Sequence, residues 1–165
     1  MSNQELDLAS LQAYLAQHVD GFSGELSAEK FAGGQSNPTY KLSAGGKHYV
    51  MRRKPAGELL KSAHAVDREF RVMKALAQSA VPVPTMRLLC ADDSVIGSMF
   101  YVMDYIDGRI FWGARLPAQS PAERSAIYDA MNQVLADLHS IDVDRIGLSD
   151  YGRPGNYFER QLSRW

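Results

Sequence analysis

Leu8, Leu11, Leu15 and Val19 recur at spacings of three and four residues, one face of a helix, and predict an amphipathic helix over 5–19. Gly21 and Gly24 end it. Beyond them the period shortens. Residues 25–32, 39–43 and 47–53 read as strands, joined first by "GGQSNP" and then by "SAGG". The second connection needs only residues that tolerate positive φ, so Gly45 and Gly46 predict a tight hairpin turn. In "SAHAVDREFRVMKALAQS" the helical spacing returns through Val66, Phe70, Met73 and Ala77, with Leu76 at the edge, which predicts a helix over 62–79. "VPVP" at 81–84 must be extended, because proline disfavours helix at the residue before it. "TMRLLCADDSVIGSMFYVMDYI" then supplies two more strands around an "ADDS" turn. The pattern is five strands with one helix inserted between the third and the fourth.

After Gly108 the character changes. "GRIFWGARLP" is a loop carrying bulky apolar residues. A helix starts at Ser120, with Pro121 in its first position and Glu123 completing a Ser-x-x-Glu capping box. Its stripe is Ile127, Met131, Val134, Leu135 and Leu138. After the loop "DYGRPGN" a last helix begins near Asn156, with Phe158, Leu162 and Trp165 along one face. That face has no apparent partner in the sequence. The expected architecture is therefore α+β: a lobe over residues 1–105, then a hinge and the opening of an incomplete helical lobe over 106–165. The unpartnered face predicts self-association.

Composition narrows the classes. A formal charge of −1 and a pI near 6.4 argue against a broad surface for nucleic acid or anionic membrane. The single cysteine, Cys90, excludes an internal disulfide, and its apolar setting "RLLC" reads as a buried thiol. No apolar run approaches the ~20 residues of a membrane span, and the N-terminus lacks the basic start and apolar core of a signal peptide. These features predict a soluble, cytoplasmic protein. The four histidines show no metal-ligand spacing, and there is no G-x-S-x-G elbow.

Candidate chemistry begins at Glu69, which falls inside the stripe of its helix, between Met73 and Leu76. A carboxylate there is costly unless paired. On the third strand Val50 and Arg52 share a face, opposite Tyr49, Met51 and Arg53, so Arg52 is placed to meet Glu69. The alternative is that Glu69 lies at the edge of the stripe and reaches solvent. "GGQSN" is neither a Walker A loop nor a dinucleotide fingerprint, and it is longer than a tight hairpin needs. A glycine loop between strands, a cation on the next strand and an acid on the following helix are the parts, in order, of a kinase N-terminal lobe.

In that order, "GGQSNPTYKL", "YVMRRKP", "SAHAVDREFRVMKAL", "VPVPTM", "FYVMDYIDGRIFW", "SPAERSAIYDAMNQVLADLHSID" and "DYGRPGNYFERQLSRW" make the chain resemble the aminoglycoside phosphotransferase / choline-kinase-like family. The resemblance is strongest to the kinase-like domains fused to some acyl-CoA dehydrogenases, and it runs unbroken from about residue 30. It implies that Gly33, Gly34, Gln35, Ser36 and Asn37 cover the phosphates of ATP. It places Arg52 where many relatives carry the strand lysine, and Glu69 as its helix partner. Arginine can bridge a phosphate and a carboxylate in a fork, although it is no equivalent of lysine. Met103 would border the adenine, with the Asp104 carbonyl and the Ile106 N–H facing its edge.

The catalytic H-x-D loop and the magnesium-binding aspartate of the family do not occur in these 165 residues. "LHSID", with His139 and Asp142, falls where relatives close a helix before that loop, and His139 reads as a buried or capping residue. The resemblance thus implies the N-terminal part of an ATP-dependent phosphotransferase acting on a small hydroxyl substrate. It would be inactive alone, and magnesium is expected only in the full-length parent. A non-catalytic module binding nucleotide or protein is the alternative.

Overall fold

The computed structural model describes residues 6–32, 37–55, 64–152 and 155–163. Helix α1 spans Leu8–His18. It starts later than its stripe implies because Asp7 caps it, its carboxylate accepting a hydrogen bond from Ser10 N at 3.0 Å. Leu11 and Leu15 are buried, whereas Leu8 is exposed.

Strands β1 (Ser27–Lys30), β2 (Thr39–Ala44) and β3 (Lys47–Arg53) form an antiparallel meander. The β2–β3 turn has Gly45 and Gly46 at φ of 55° and 74°, the paired positive angles of a hairpin turn that suits the strand twist. Gly45 has a second reason to lack a side chain, since a Cβ there would lie 2.5 Å from the Ser23 carbonyl oxygen.

Helix α2 spans Val66–Leu76, and strands β4 (Met86–Cys90) and β5 (Phe100–Asp104) complete the sheet in the order β1-β2-β3-β5-β4. Residues 81–84 belong to neither helix nor strand, with a bend at Val81. Both sheet faces are covered. On one, α1 packs over Leu42, Met51, Phe100 and Val102, with the Cys90 thiol buried among them. On the other, Val66 and Phe70 of α2 pack against Tyr101, with Met73, Met86 and Leu89 around them. Burial of alternate residues on both sides is why "FYVMD" reads as a continuous apolar run.

Helix α3 (Pro121–His139) begins as its sequence dictates: Ser120 Oγ accepts from Glu123 N at 3.3 Å, and Glu123 Oε2 accepts from Ser120 N at 2.8 Å. None of its residues is buried, and Met131 and Leu135 are 60% and 50% exposed. His139 lies exposed in the last turn, so it is not buried, and the residue that caps the helix is Ser140. Helix α4 (Tyr157–Leu162) follows. No helix among the described residues is long and apolar enough to cross a membrane.

The loop after α3 returns to α2. Arg71 donates from Nη1 to Asp150 Oδ2 at 3.0 Å and from Nη2 to the Gly147 carbonyl at 2.9 Å. Arg68 donates to the Tyr151 carbonyl at 2.8 Å and lies 4.0 Å over the Tyr151 ring. Proximity of the guanidinium holds the Asp150 carboxyl below the usual carboxylate range.

Candidate functional site

Arg52 and Glu69 meet because of strand alternation. Arg52 stands opposite Tyr101, and Val50 opposite Met103, so these four side chains share the sheet face that α2 covers. Arg52 Nε lies 2.9 Å from Glu69 Oε2, and the two side chains are 33% and 36% exposed. The Nε–H does not point along the contact, so charge holds the pair more than an aligned hydrogen bond does. Both readings of Glu69 therefore hold: it is paired, and it sits where its helix meets solvent. At this exposure the pair adds little to stability, about 1 kcal/mol or less. Its interest lies in what the guanidinium can reach.

Glu69 has two further partners. Tyr101 donates its phenolic O–H to Oε2 at 3.1 Å, and Asn37 donates Nδ2 to Oε1 at 3.3 Å. Burial, reinforced by the adjacent carboxylate, raises the Tyr101 phenol well above its ordinary value and keeps it a donor. Asn37 is only 3% exposed, and its Oδ1 lies 2.8 Å from His64 Nδ1. Of the five loop residues assigned from the sequence, Asn37 alone is described, and its side chain faces the acid; Gly33, Gly34, Gln35 and Ser36 lie outside the described residues. The loop is closed at its base by Phe31 N donating to the Thr39 carbonyl at 3.0 Å.

Beside Arg52 on the same face, Val50, Phe31, Pro84, Met103, Asp104, Ile106 and Ile110 line an open cavity of about 340 Å³. That volume suits a flat heterocycle enclosed by apolar walls. The wall contains Met103, Asp104 and Ile106. Among the described residues the Ile106 N–H has no hydrogen-bond partner, which leaves a donor at the rim. The rim is stiffened from outside, where Arg87 donates from Nε and Nη2 to the two Asp104 carboxylate oxygens at 2.6 and 2.7 Å. This fork is the chief reason the Asp104 pKa falls below its ordinary value.

Sequence reading missed Val50, Phe31, Pro84 and Ile110 as pocket walls, and Tyr101 and His64 as partners of the acid. Alternation pairs Val50 with Arg52 and could have supplied the first. Tyr101 requires the β3–β5 register, which no local pattern encodes. Arg53, on the opposite face at 3% exposure, has a buried Nε with no partner among the described residues. Among the described residues no group of three or more His, Cys, Asp or Glu could hold a metal ion.

Comparisons with known proteins agree with this fold. The family described as phosphotransferase enzyme family matches residues 27–165. The Arabidopsis thaliana protein named Probable acyl-CoA dehydrogenase IBR3 is 48% identical over 172 residues, which cover 99% of this chain and 21% of that protein. Human acyl-CoA dehydrogenase family member 11 is 47% identical over 169 residues, covering 100% and 22%. Among solved structures, a Ralstonia eutropha protein provisionally assigned as an aminoglycoside phosphotransferase superposes with a TM-score of 0.84 at 53% identity, over 98% of this chain and 46% of its own. The chain thus spans about a fifth of the length of these curated relatives and just under half of that of the solved structure. It belongs to the phosphotransferase enzyme family.

Proposed function

We propose that these residues form the nucleotide-binding part of an ATP-dependent phosphotransferase that acts on a small hydroxyl substrate. One observation carries the reading: a single strand, β3, supplies both a pocket wall, Val50, and a paired cation, Arg52, on the same sheet face. Two residues along a strand separate them by ~6.8 Å. A base enclosed beside Val50 and Met103, with its edge at the Asp104 carbonyl and the Ile106 N–H, would extend its phosphates toward Arg52. The loop 33–37 would lie over those phosphates, its backbone N–H groups adding donors.

Residues 1–105 are read as the nucleotide lobe and 106–165 as the hinge and first helices of the second lobe. The catalytic base and the magnesium ligands are assigned to sequence outside these residues. On that reading the chain binds ATP without transferring phosphate. Similarity to dehydrogenase-linked relatives favours a hydroxyacyl acceptor over an antibiotic. With the magnesium ligands assigned elsewhere, ATP binding by this chain should depend little on magnesium.

Calorimetric titration of the chain with ATP, with and without magnesium, tests this beside an Arg52→Ala variant. Loss of a charged contact to phosphate should weaken binding about tenfold or more. Equal affinity for wild type and variant would remove Arg52 from the site. Absence of binding at millimolar ATP would reject the reading for this chain.

A further inference from the structure

His64 stands two residues before α2 with φ at 60°, in the left-handed region that residues other than glycine enter uncommonly. Its carbonyl accepts from Val66 N at 2.8 Å, closing a tight turn around Ala65 that leads into the helix. Its ring contacts Asn37, the last residue of the glycine loop.

The donor directions in this cluster can be assigned from chemistry. The Glu69 carboxylate only accepts, so Asn37 turns its amide nitrogen toward Glu69 and its oxygen toward His64. That oxygen also only accepts, so His64 must carry a proton on Nδ1. The relay runs from His64 Nδ1–H to Asn37 Oδ1 at 2.8 Å, and from Asn37 Nδ2–H to Glu69 Oε1 at 3.3 Å. Arg52 and Tyr101 hold the other oxygen of the same carboxylate, at 2.9 and 3.1 Å. Without the histidine donor the Asn37 oxygen is left buried and unpaired, and the amide can relieve it only by moving off Glu69. Flipping it would set two oxygens against each other at 3% exposure, where water offers little relief.

We infer that His64 is a positioning residue for nucleotide binding: through Asn37 it fixes the Glu69 carboxylate, and with it the direction of Arg52. Asn37 ends the loop read as covering the phosphates, and His64 leads into the helix that carries the acid. The relay thereby fixes the carboxylate that Arg52 meets, and so the direction in which the guanidinium would face phosphates. The inference rests on the nucleotide-binding reading above. It also explains a left-handed histidine where glycine would be unstrained.

Three variants of the 165-residue chain test it, each titrated with ATP by calorimetry beside wild type and Arg52→Ala, with thermal midpoints measured in parallel. His64→Gly relieves the backbone and removes the donor. It should keep or raise the midpoint while weakening ATP about three- to tenfold, the worth of one net hydrogen bond. His64→Asn places an amide nitrogen where Nδ1 stood and should keep wild-type affinity, whereas His64→Gln should not. Long-range nitrogen–proton NMR of the nucleotide-free chain should show His64 protonated at Nδ1.

ATP affinity unchanged in His64→Gly and His64→Gln, with Arg52→Ala still weakened, would overturn the relay and leave the nucleotide reading standing. A neutral ring protonated only at Nε2 would overturn the relay without reference to nucleotide. No ATP binding by wild type would overturn both.

Discussion

Helices α1 and α3 announce themselves in the same way, through leucines and other apolar residues at three- and four-residue spacing, yet they end in different surroundings. Leu11 and Leu15 of α1 are 0% exposed under the sheet, whereas the longer α3 buries nothing, and Leu135 remains 50% exposed. Periodicity tells which face wants burial; it does not tell what covers it. In the sheet lobe the cover comes from residues a short distance along the chain. For α3 the loop over 111–116 half-covers Ile127, while Met131 and Leu135 are left exposed.

The sharpest way to break that comparison is truncation in both helices. Leu15→Ala should cost about 2–5 kcal/mol in urea unfolding, because the site is closed on all sides. Leu135→Ala should change stability by no more than about 0.5 kcal/mol. A comparable loss at the two positions would mean that α3 is covered after all.

A smaller effect concerns the fork at the pocket rim. Arg87→Ala should destabilise the sheet lobe by about 1 kcal/mol near neutral pH, a value already reduced for the partial exposure of both side chains. The sign with pH follows from Asp104, whose folded pKa lies below its unfolded value. Its contribution is complete above the unfolded pKa of about 4 and disappears as pH falls through the lower folded value. The gap between wild type and Arg87→Ala should therefore hold from pH 7 to about pH 5 and shrink below about pH 4. A gap independent of pH would assign the loss to the arginine's packing.

The same contrast explains which parts of the molecule could be read in advance. The Ser120-Pro121-Glu123 start of α3 and the Gly45-Gly46 turn matched because their chemistry is complete within four residues. The Arg52–Glu69 pair was legible because two local periods, one of strand and one of helix, pointed at each other. The limits of α1 shifted because a side-chain cap at Asp7 outweighs a stripe. Helix α2 is described only from Val66, after His64 and Ala65, so its expected start at 62 and 63 falls outside the described residues. The relay from His64 to Asn37 joins residues 27 apart, through an amide whose orientation only the assembled cluster defines. No spacing rule reaches it.

The smallest expected effects lie where apolar side chains face outward. Phe158 and Leu162 are 81% and 80% exposed, and the isolated chain should self-associate through this face. A Phe158→Ser, Leu162→Ser double variant should sediment as a monomer at concentrations where wild type shifts to larger species. Unchanged sedimentation would exclude this face as the contact, while the thermal midpoint should move by only a degree or so, since little is buried there.

The clasp of Arg68 and Arg71 on the loop 147–151 has a consequence for the order in which the molecule assembles. The bonds that fix Glu69 and Asp104 close intervals of 32 and 17 residues, whereas Arg71 reaches across 79 to Asp150. Closing the longer interval costs more chain entropy, and the strands are all synthesised before α3 begins. The sheet with its pocket can therefore form first, and the clasp latches afterwards. An Arg71→Ala chain should refold at the unaltered rate and unfold faster, the kinetic mark of a contact absent from the transition state.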